Sequence, residues 1–142
     1  LSPIVDGDID FVYRRTYFPD AYWYSWYTHQ LQYTQSTWVE AYTVPEMEIP
    51  IHLRGGFIFP TQAPALTTTE SRQNPMTFIV TLDAAAAARG DLFWDDGEGI
   101  DTVENGAYHY ATMSWSANRL TYSVEYTDAG DITSVWLGSV EV

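Results

Sequence analysis

The 142-residue chain is acidic, rich in apolar and aromatic residues, and free of cysteine. Its formal net charge of −13 gives a surface that repels phosphate backbones and anionic lipids, which argues against nucleic acids and membrane surfaces as partners. Without cysteine it forms neither disulfides nor thiolate metal sites, and no apolar run approaches the roughly 20 residues that span a bilayer.

The N-terminal third consists of short runs of aromatic and β-branched residues, a composition typical of β-strands. Residues 1–5 (LSPIV) form neither a signal peptide nor a start methionine, so we expect the chain to be a piece of a longer protein. Strands are predicted over residues 9–18, 21–27 and 37–44. Asp6-Gly7 and residues 18–20 (FPD) are turn signals between them.

A change in composition marks the middle of the chain. Residues 61–75 hold two prolines and three consecutive threonines, and they separate two β-rich blocks. We therefore predict a division into two domains, residues 1–66 and residues 67–142. No repeat relates the two blocks.

The second block alternates apolar and polar residues with a period of two, which predicts half-buried strands. The apolar positions of two strands are Met76, Phe78, Val80 and Leu82, and Leu120, Tyr122, Val124 and Tyr126. A further strand is predicted over residues 108–115. The alanines at 84–88 are too few for a stable helix and predict a surface turn.

Turn signals also recur through the second block. Asp96-Gly97, Asn105-Gly106 and Ala129-Gly130 are the candidates. Asn105-Gly106 fits a tight type I′ hairpin, because that turn needs positive φ at both central residues. Many short strands with closely spaced turns predict an all-β fold of two small antiparallel β-sandwich domains in tandem.

Four segments of the chain, in order, resemble motifs of glycoside hydrolase family 31. The family patterns are FP-x-A-x-WYDYYTG, HVRGG-x-I-x-P, EPA-x-T-x-x-SR-x-NP and G-x-LFWDDG. The matching segments are residues 18–28 (FPDAYWYSWYT), 51–60 (IHLRGGFIFP), 64–75 (PALTTTESRQNP) and 90–98 (GDLFWDDGE). Residues 1–5 are similar to the SPVL that opens this region. Ser25 stands where the family usually has aspartate, and His29 where it often has glycine.

The resemblance implies the proximal and distal C-terminal β-sandwiches of an α-glucosidase of the maltase, sucrase–isomaltase and acid α-glucosidase type. Such enzymes are retaining exo-glycosidases that remove terminal α-linked glucose with two aspartates and no cofactor. Their nucleophile lies in a W-x-DMNE box of the catalytic (β/α)₈ barrel, which this chain lacks. The resemblance therefore implies a non-catalytic segment, without catalytic, substrate-binding or metal-binding residues of its own, that supports the barrel.

The resemblance also implies the segment's partners and location. The partners are the rest of the same enzyme and, through the barrel, an α-glucan or oligosaccharide, with no membrane contact from the segment itself. The location is secreted, cell-surface or lysosomal. An alternative is a carbohydrate-binding module without hydrolytic activity.

The densest acidic cluster is Asp95-Asp96-Gly97-Glu98, followed by Asp101 and Glu104. A calcium loop is one interpretation, since calcium takes six to eight oxygen ligands, but the spacing does not fit an EF-hand. Adjacent residues of a strand point to opposite faces, so Asp95 and Asp96 do not suit a catalytic pair. We favour a turn at the end of a strand.

Other residues that suggest chemistry also have structural explanations. The aromatic run at 22–27 is either a sugar-stacking platform or, as we favour, core and interface packing, with Tyr22, Tyr24 and Trp26 on one face. The scattered histidines do not have metal-ligand spacing, and a strand kink suits Arg54-Gly55-Gly56 better than an anion cradle. The histidines are His29, His52 and His109.

Overall fold

The computed structural model describes residues 12–43, 49–128 and 137–142, and of residues 12–14, 42 and 43 it describes the backbone alone. The chain divides into two compact units, Leu1–Gly55 and Gly56–Val142. The sequence features predicted at residues 1–5, at Asp6-Gly7 and at Ala129-Gly130 lie outside the described residues. No helix among the described residues has the length and apolarity to cross a membrane.

The first unit consists of a two-stranded ribbon and a three-stranded sheet. Its strands are β1 (Val12–Phe18), β2 (Trp23–Ser25), β3 (Leu31–Tyr33), β4 (Thr37–Thr43) and β5 (His52–Arg54). The ribbon pairs β1 with β4, and the sheet has the order β3-β2-β5. All of these pairings are antiparallel.

Phe18, at the end of β1, is the centre of this unit's core, with only 4% of its surface exposed. Its ring lies 4.5 Å from that of Tyr33 and meets Trp23 and His52 edge-on at 5.3 and 4.7 Å. Edge-to-face contacts of this kind are favoured by the ring quadrupoles. The ribbon and the three-stranded sheet are thus joined by aromatic packing.

In the second unit, the residues that the structure describes form one six-stranded sheet and one short helix. The elements are β6 (Phe57–Gln62), α1 (Thr68–Ser71), β7 (Met76–Thr81), β8 (Ala88–Trp94), β9 (His109–Ser116), β10 (Arg119–Thr127) and β11 (Leu137–Glu141). The strand order is β10-β9-β8-β6-β7-β11. Pairings are antiparallel as predicted, except that β6–β8 and β7–β11 are parallel.

The six-stranded sheet folds over on itself. Strands β6 and β8 are joined at a single residue pair, Phe57 and Arg89. Phe78 on β7 and Tyr122 on β10 stack at 6.1 Å although three strands separate them in the sheet. The two halves of the sheet therefore face each other as the layers of a sandwich, and the all-β prediction is confirmed.

The buried core of the second unit fills the space between these layers. It comprises Ile58, Met76, Phe78, Val80, Ala88, Leu92 and Met113. The predicted strand at 76–82 is confirmed, and its apolar positions Met76, Phe78 and Val80 all belong to this core. The alanine run forms a turn as predicted, in which the Asp83 carboxylate accepts hydrogen bonds from the amides of Ala85 and Ala87.

The prediction that Leu120, Tyr122, Val124 and Tyr126 all lie on one side of β10 is wrong for the last of them. A bulge lies between Val124 and Tyr126, and it brings Tyr126 opposite Tyr110 while Val124 pairs with Ala111. Since neighbouring residues of a strand point to opposite faces, Tyr126 lies on the outer face and not on the core side. There its ring stacks on Tyr108 at 4.5 Å.

The predicted type I′ hairpin at Asn105-Gly106 is also wrong. Only Gly106 has positive φ, and the segment is a series of helical turns within the long β8–β9 connection. The two-residue turn lies instead at Ala117-Asn118, where φ is +49° and +56° between β9 and β10. Asn118 suits positive φ, but alanine is a poor residue for it, so the pair Ala117-Asn118 gives only a weak signal for this turn.

The predicted domain boundary falls within a packed connection. Strands β6 and β7 lie on either side of it and form an antiparallel pair from Phe57–Thr81 to Gln62–Met76. The compact units change at Gly55–Gly56, where Gly56 has a φ of +91°. The division into residues 1–66 and 67–142 stays a prediction.

Replacement of Gly90 by alanine is expected to destabilise the second unit. A Cβ at this position would overlap the carbonyl oxygen of Ile58 and lie 3.0 Å from the Cβ of Ile58 on the adjacent strand β6. Relieving the overlap means moving backbone, so we expect a loss of about 2–3 kcal/mol in the free energy of unfolding. Denaturant unfolding of the wild-type chain and of Gly90→Ala measures this loss. Unchanged stability of Gly90→Ala would contradict the close approach of the strands.

Candidate functional site

The acidic cluster begins where β8 ends, and its first residue is contacted by Arg72 from the connection between β6 and β7. The Arg72 guanidinium lies 3.9 Å above the Trp94 ring and donates a hydrogen bond to the Asp95 carbonyl. A Cβ at Gly97 would lie 3.0 Å from the guanidinium, and its φ of +78° also favours glycine. We call this group of Arg72, Trp94, Asp95 and Gly97 the arginine clasp.

The connection between β6 and β7 positions Arg72. The Thr67 hydroxyl caps α1 by accepting from the Glu70 amide, and Arg72 follows the last helical residue. The Gln62 side chain donates to the carbonyls of Arg72 and Asn74, at 3.2 and 2.6 Å. These bonds fix the backbone on both sides of Arg72, so its side chain is aimed at β8 by the fold of its own connection.

The two aspartates of the cluster are engaged by their own loop. One carboxylate oxygen of Asp95 accepts from the Gly97 amide at 2.9 Å, and the other accepts from the Thr102 hydroxyl at 3.0 Å. Asp96 accepts from the amides of Glu98 and Gly99, at 3.0 and 2.8 Å. Such side chain–backbone bonds are those of Asx turns, which matches the predicted turn at the end of a strand.

The electrostatics of the cluster follow from these bonds. The amides of Gly99 and Glu98 donate to the Asp96 carboxylate and, with the nearby Arg72 cation, hold its pKa below the usual value. Among the described residues, no group of three acidic, histidine or cysteine side chains is arranged to hold a metal ion. The arrangement of Asp95 and Asp96 is suited to ordering the loop.

The aromatic run at 22–27 divides into a packed part and an exposed part. Trp23 packs edge-on against Phe18, and its indole nitrogen donates to the Pro19 carbonyl at 3.0 Å. β2 ends at Ser25, so the predicted alternation of faces does not continue to Trp26. Tyr27 lies in the following turn, 48% exposed, with its hydroxyl bonded to the Ile49 carbonyl.

The two departures from the family pattern both lie in this turn. The Ser25 hydroxyl accepts from the amides of Tyr27 and Thr28, at 3.2 and 3.3 Å, as an aspartate there would. His29 has a φ of +55°, which glycine adopts without strain. The substitutions therefore keep the turn, with serine serving as the acceptor and histidine taking the left-handed backbone conformation.

The remaining residues singled out by sequence belong to other elements of the two units. His52 packs against Phe18, and burial lowers its pKa. His109 is buried in the second unit, with its Nε2 2.7 Å from the hydroxyl of Tyr122, whose pKa burial raises. Arg54 is exposed at the end of β5, before the turn at Gly55-Gly56.

Comparison with known sequences gives the class of this chain. Residues 1–59 match the glycosyl hydrolase family 31 C-terminal domain. Intestinal sucrase-isomaltase of Rattus norvegicus is 37% identical over all 142 residues, which are 8% of that protein. Lysosomal alpha-glucosidase of Mus musculus is 51% identical over 72 residues, covering 51% of this chain and 8% of that protein.

Solved structures agree with this fold. ER glucosidase II, in a heterodimeric complex of its catalytic subunit and the binding domain of its regulatory subunit, matches with a TM-score of 0.78 and 27% identity. The match covers 97% of this chain and 16% of that chain. The fold and the motifs thus define an all-β segment that is similar to a small part of these larger proteins. By sequence the chain is similar to the C-terminal region of glycosyl hydrolase family 31.

Replacement of Arg72 by lysine is expected to loosen the clasp. Lysine keeps the charge but loses the planar guanidinium that stacks on Trp94 while donating to Asp95. We expect a loss of about 1–2 kcal/mol in the free energy of unfolding. Arg89→Lys is the matched control, because Arg89 is exposed on β8. Equal effects of the two substitutions in denaturant unfolding would show that the clasp contributes nothing particular.

The lowered pKa of Asp96 predicts a pH dependence of stability. The folded chain holds this carboxyl ionised to lower pH than the unfolded chain does, so its contribution is present above the unfolded pKa of about 3.9. It is lost as the pH falls through the lower folded pKa. In Asp96→Asn we expect thermal unfolding between pH 3 and 6 to depend less on pH, with a lower stability near pH 7 because a neutral amide oxygen accepts these hydrogen bonds more weakly than a carboxylate does. An unchanged pH profile would contradict this assignment.

Proposed function

We propose that this chain is the non-catalytic C-terminal part of a retaining, exo-acting α-glucosidase, an enzyme that hydrolyses terminal α-linked glucose. The observation that carries the proposal is the alignment with rat sucrase-isomaltase, which runs along the whole chain yet covers only 8% of that enzyme. A segment of this size has the relation to its relatives that an accessory domain has to a larger enzyme.

The state of the acidic residues supports a non-catalytic role. Retaining hydrolysis needs one carboxylate free to attack the sugar and a second to transfer a proton, about 5 Å apart across the bond. Both carboxylate oxygens of Asp95 and one of Asp96 instead accept hydrogen bonds from the amides and the hydroxyl of their own loop. The proposed catalytic carboxylates belong to the rest of the enzyme, which this segment supports.

The alternative function, a carbohydrate-binding module, draws on the aromatic residues of the outer sheet face. Phe93, Tyr108 and Tyr126 form a stack with centroid distances of 5.2 and 4.5 Å. Tyr108 lies between the other two rings, so both of its faces are covered, whereas Phe93 and Tyr126, 43% and 37% exposed, each stack on it by one face. A sugar platform needs a row of open ring faces, and rings stacked on one another do not form such a row.

The location follows from the relatives in the same way. Two of them are named as intestinal and lysosomal enzymes. We propose that the parent enzyme enters the secretory pathway and is secreted, held at the cell surface or delivered to lysosomes. Its partners are then the remainder of the same polypeptide and, through the catalytic part, an α-glucan or oligosaccharide.

Kinetics of the full-length enzyme test the proposal. We expect release of α-glucose from maltose and from 4-nitrophenyl α-glucoside, because retention preserves the anomer. Asp95→Asn and Asp96→Asn are expected to keep kcat and KM within about twofold while lowering stability, since a catalytic acid or base contributes about 10²–10⁴-fold. A hundredfold loss of kcat in a folded Asp95→Asn enzyme would overturn the non-catalytic assignment. Absence of α-glucosidase activity from the folded wild-type enzyme would overturn the function itself.

A further inference from the structure

One face of the β1–β4 ribbon carries large aromatic side chains in the open. Tyr17 and Trp38 are paired across the two strands, as are Arg15 and Glu40. Tyr17 is 48% exposed and Trp38 57% exposed, and their ring centroids lie 5.0 Å apart. The Arg15 guanidinium lies 4.7 Å above the Trp38 ring. We call these four residues the ribbon face.

The opposite side of the ribbon is already packed. Thr16, Phe18, Thr37, Val39 and Ala41 alternate with the residues of the ribbon face and are buried or half-buried. Phe18 among them anchors the ribbon to the aromatic core of its unit. A two-stranded ribbon is only marginally stable by itself, so a second packed side would add to its stability. The ribbon face is placed to provide that side.

The chemistry of the ribbon face is that of a protein interface. Tryptophan, tyrosine and arginine are the residues that most often contribute the binding energy of protein contacts. Here the three lie together, with the tyrosine ring and the guanidinium ordering the tryptophan. Their arrangement before binding reduces the side-chain entropy lost in an interface.

We propose that the ribbon face is the surface on which the catalytic part of the same polypeptide docks. This rests on the proposed function, because it takes the partner to be the rest of an α-glucosidase. The length of chain outside the segment favours this occupant: the matched region is 16% of the similar glucosidase II chain and 8% of rat sucrase-isomaltase. Most of the surface available to such a segment belongs to the same molecule.

A glycan fits the ribbon face less well. Arg15 covers the ring of Trp38, and the Tyr17 ring is tilted by 43° to it. The pair therefore lacks the flat, open ring surface on which a sugar stacks. A neighbouring protein surface adapts to such a stepped shape with its own side chains.

Hydroxyl-radical labelling of the full-length enzyme, read by mass spectrometry, tests the docking. Tyr17 and Tyr27 are a matched pair, being the same residue type in the same unit with 48% exposure each. We expect Tyr17 to be labelled about fivefold or more slowly than Tyr27, since the centre of an interface excludes water. Trp38→Ala is expected to bring the Tyr17 rate toward that of Tyr27, whereas Ile100→Ala, at a site 93% exposed, leaves the ratio unchanged.

Each other outcome overturns the proposal. Equal labelling of Tyr17 and Tyr27 in the wild-type enzyme shows a free ribbon face. Protection that appears only when maltotetraose is added shows a glycan as the occupant, and protection that disappears on dilution shows a second copy. The wild-type ratio decides the question even if Trp38→Ala fails to fold. Labelling is independent of activity, so an inactive enzyme with protected Tyr17 refutes the α-glucosidase assignment and leaves the docking in place.

Discussion

The close approach of β8 to β6 at Gly90 is the constraint on which the second unit depends. Only a residue without a Cβ lets the two backbones meet there, and the sheet folds over beside this point. The same strand then delivers Trp94 to the guanidinium of Arg72 and ends in the turn at Asp95 and Gly97. The stretch from Gly90 to Gly97 therefore determines the fold of the sandwich, the position of the β6–β7 connection and the start of the acidic loop.

The structure also gives a physical reason for the recurrence of two motifs in family 31. The SR-x-NP segment and the LFWDDG segment are separate in sequence, but the arginine of the first lies on the tryptophan of the second. A cation held between an aromatic ring and a carbonyl oxygen ties the two connections together without a disulfide, in a chain that has no cysteine. Arg72, Trp94 and Asp95, which stand in these two motifs, contact one another in the fold.

Much of the fold could be predicted from period and composition, because strands buried on one side show their alternation directly. The strand at 76–82 and the alanine turn are examples. Two predictions were wrong because they depended on backbone geometry, which a pattern of side chains does not show. One concerns the bulge that turns Tyr126 outward, and the other the two-residue turn at Ala117-Asn118. At the candidate site, the turn at Asp95-Asp96 followed from Asp-Gly chemistry, whereas the role of Arg72 did not. Its partners are more than twenty residues away along the chain, and only the pairing of β6 with β7 and β8 brings them together.

The same distinction between local pattern and tertiary contact bears on how an accessory domain supports an enzyme. The aromatic run at 22–27 attracts attention in the sequence, yet Trp23 is used inside its own unit, against Phe18. Trp38, in a less conspicuous strand, is left 57% exposed beside a tyrosine and an arginine. Residues that complete a unit's own core cannot also bind a neighbour, so the docking surface that we propose lies among the side chains that the core leaves out. On the first unit, the ribbon face meets that condition on a backbone that Phe18 already holds in place.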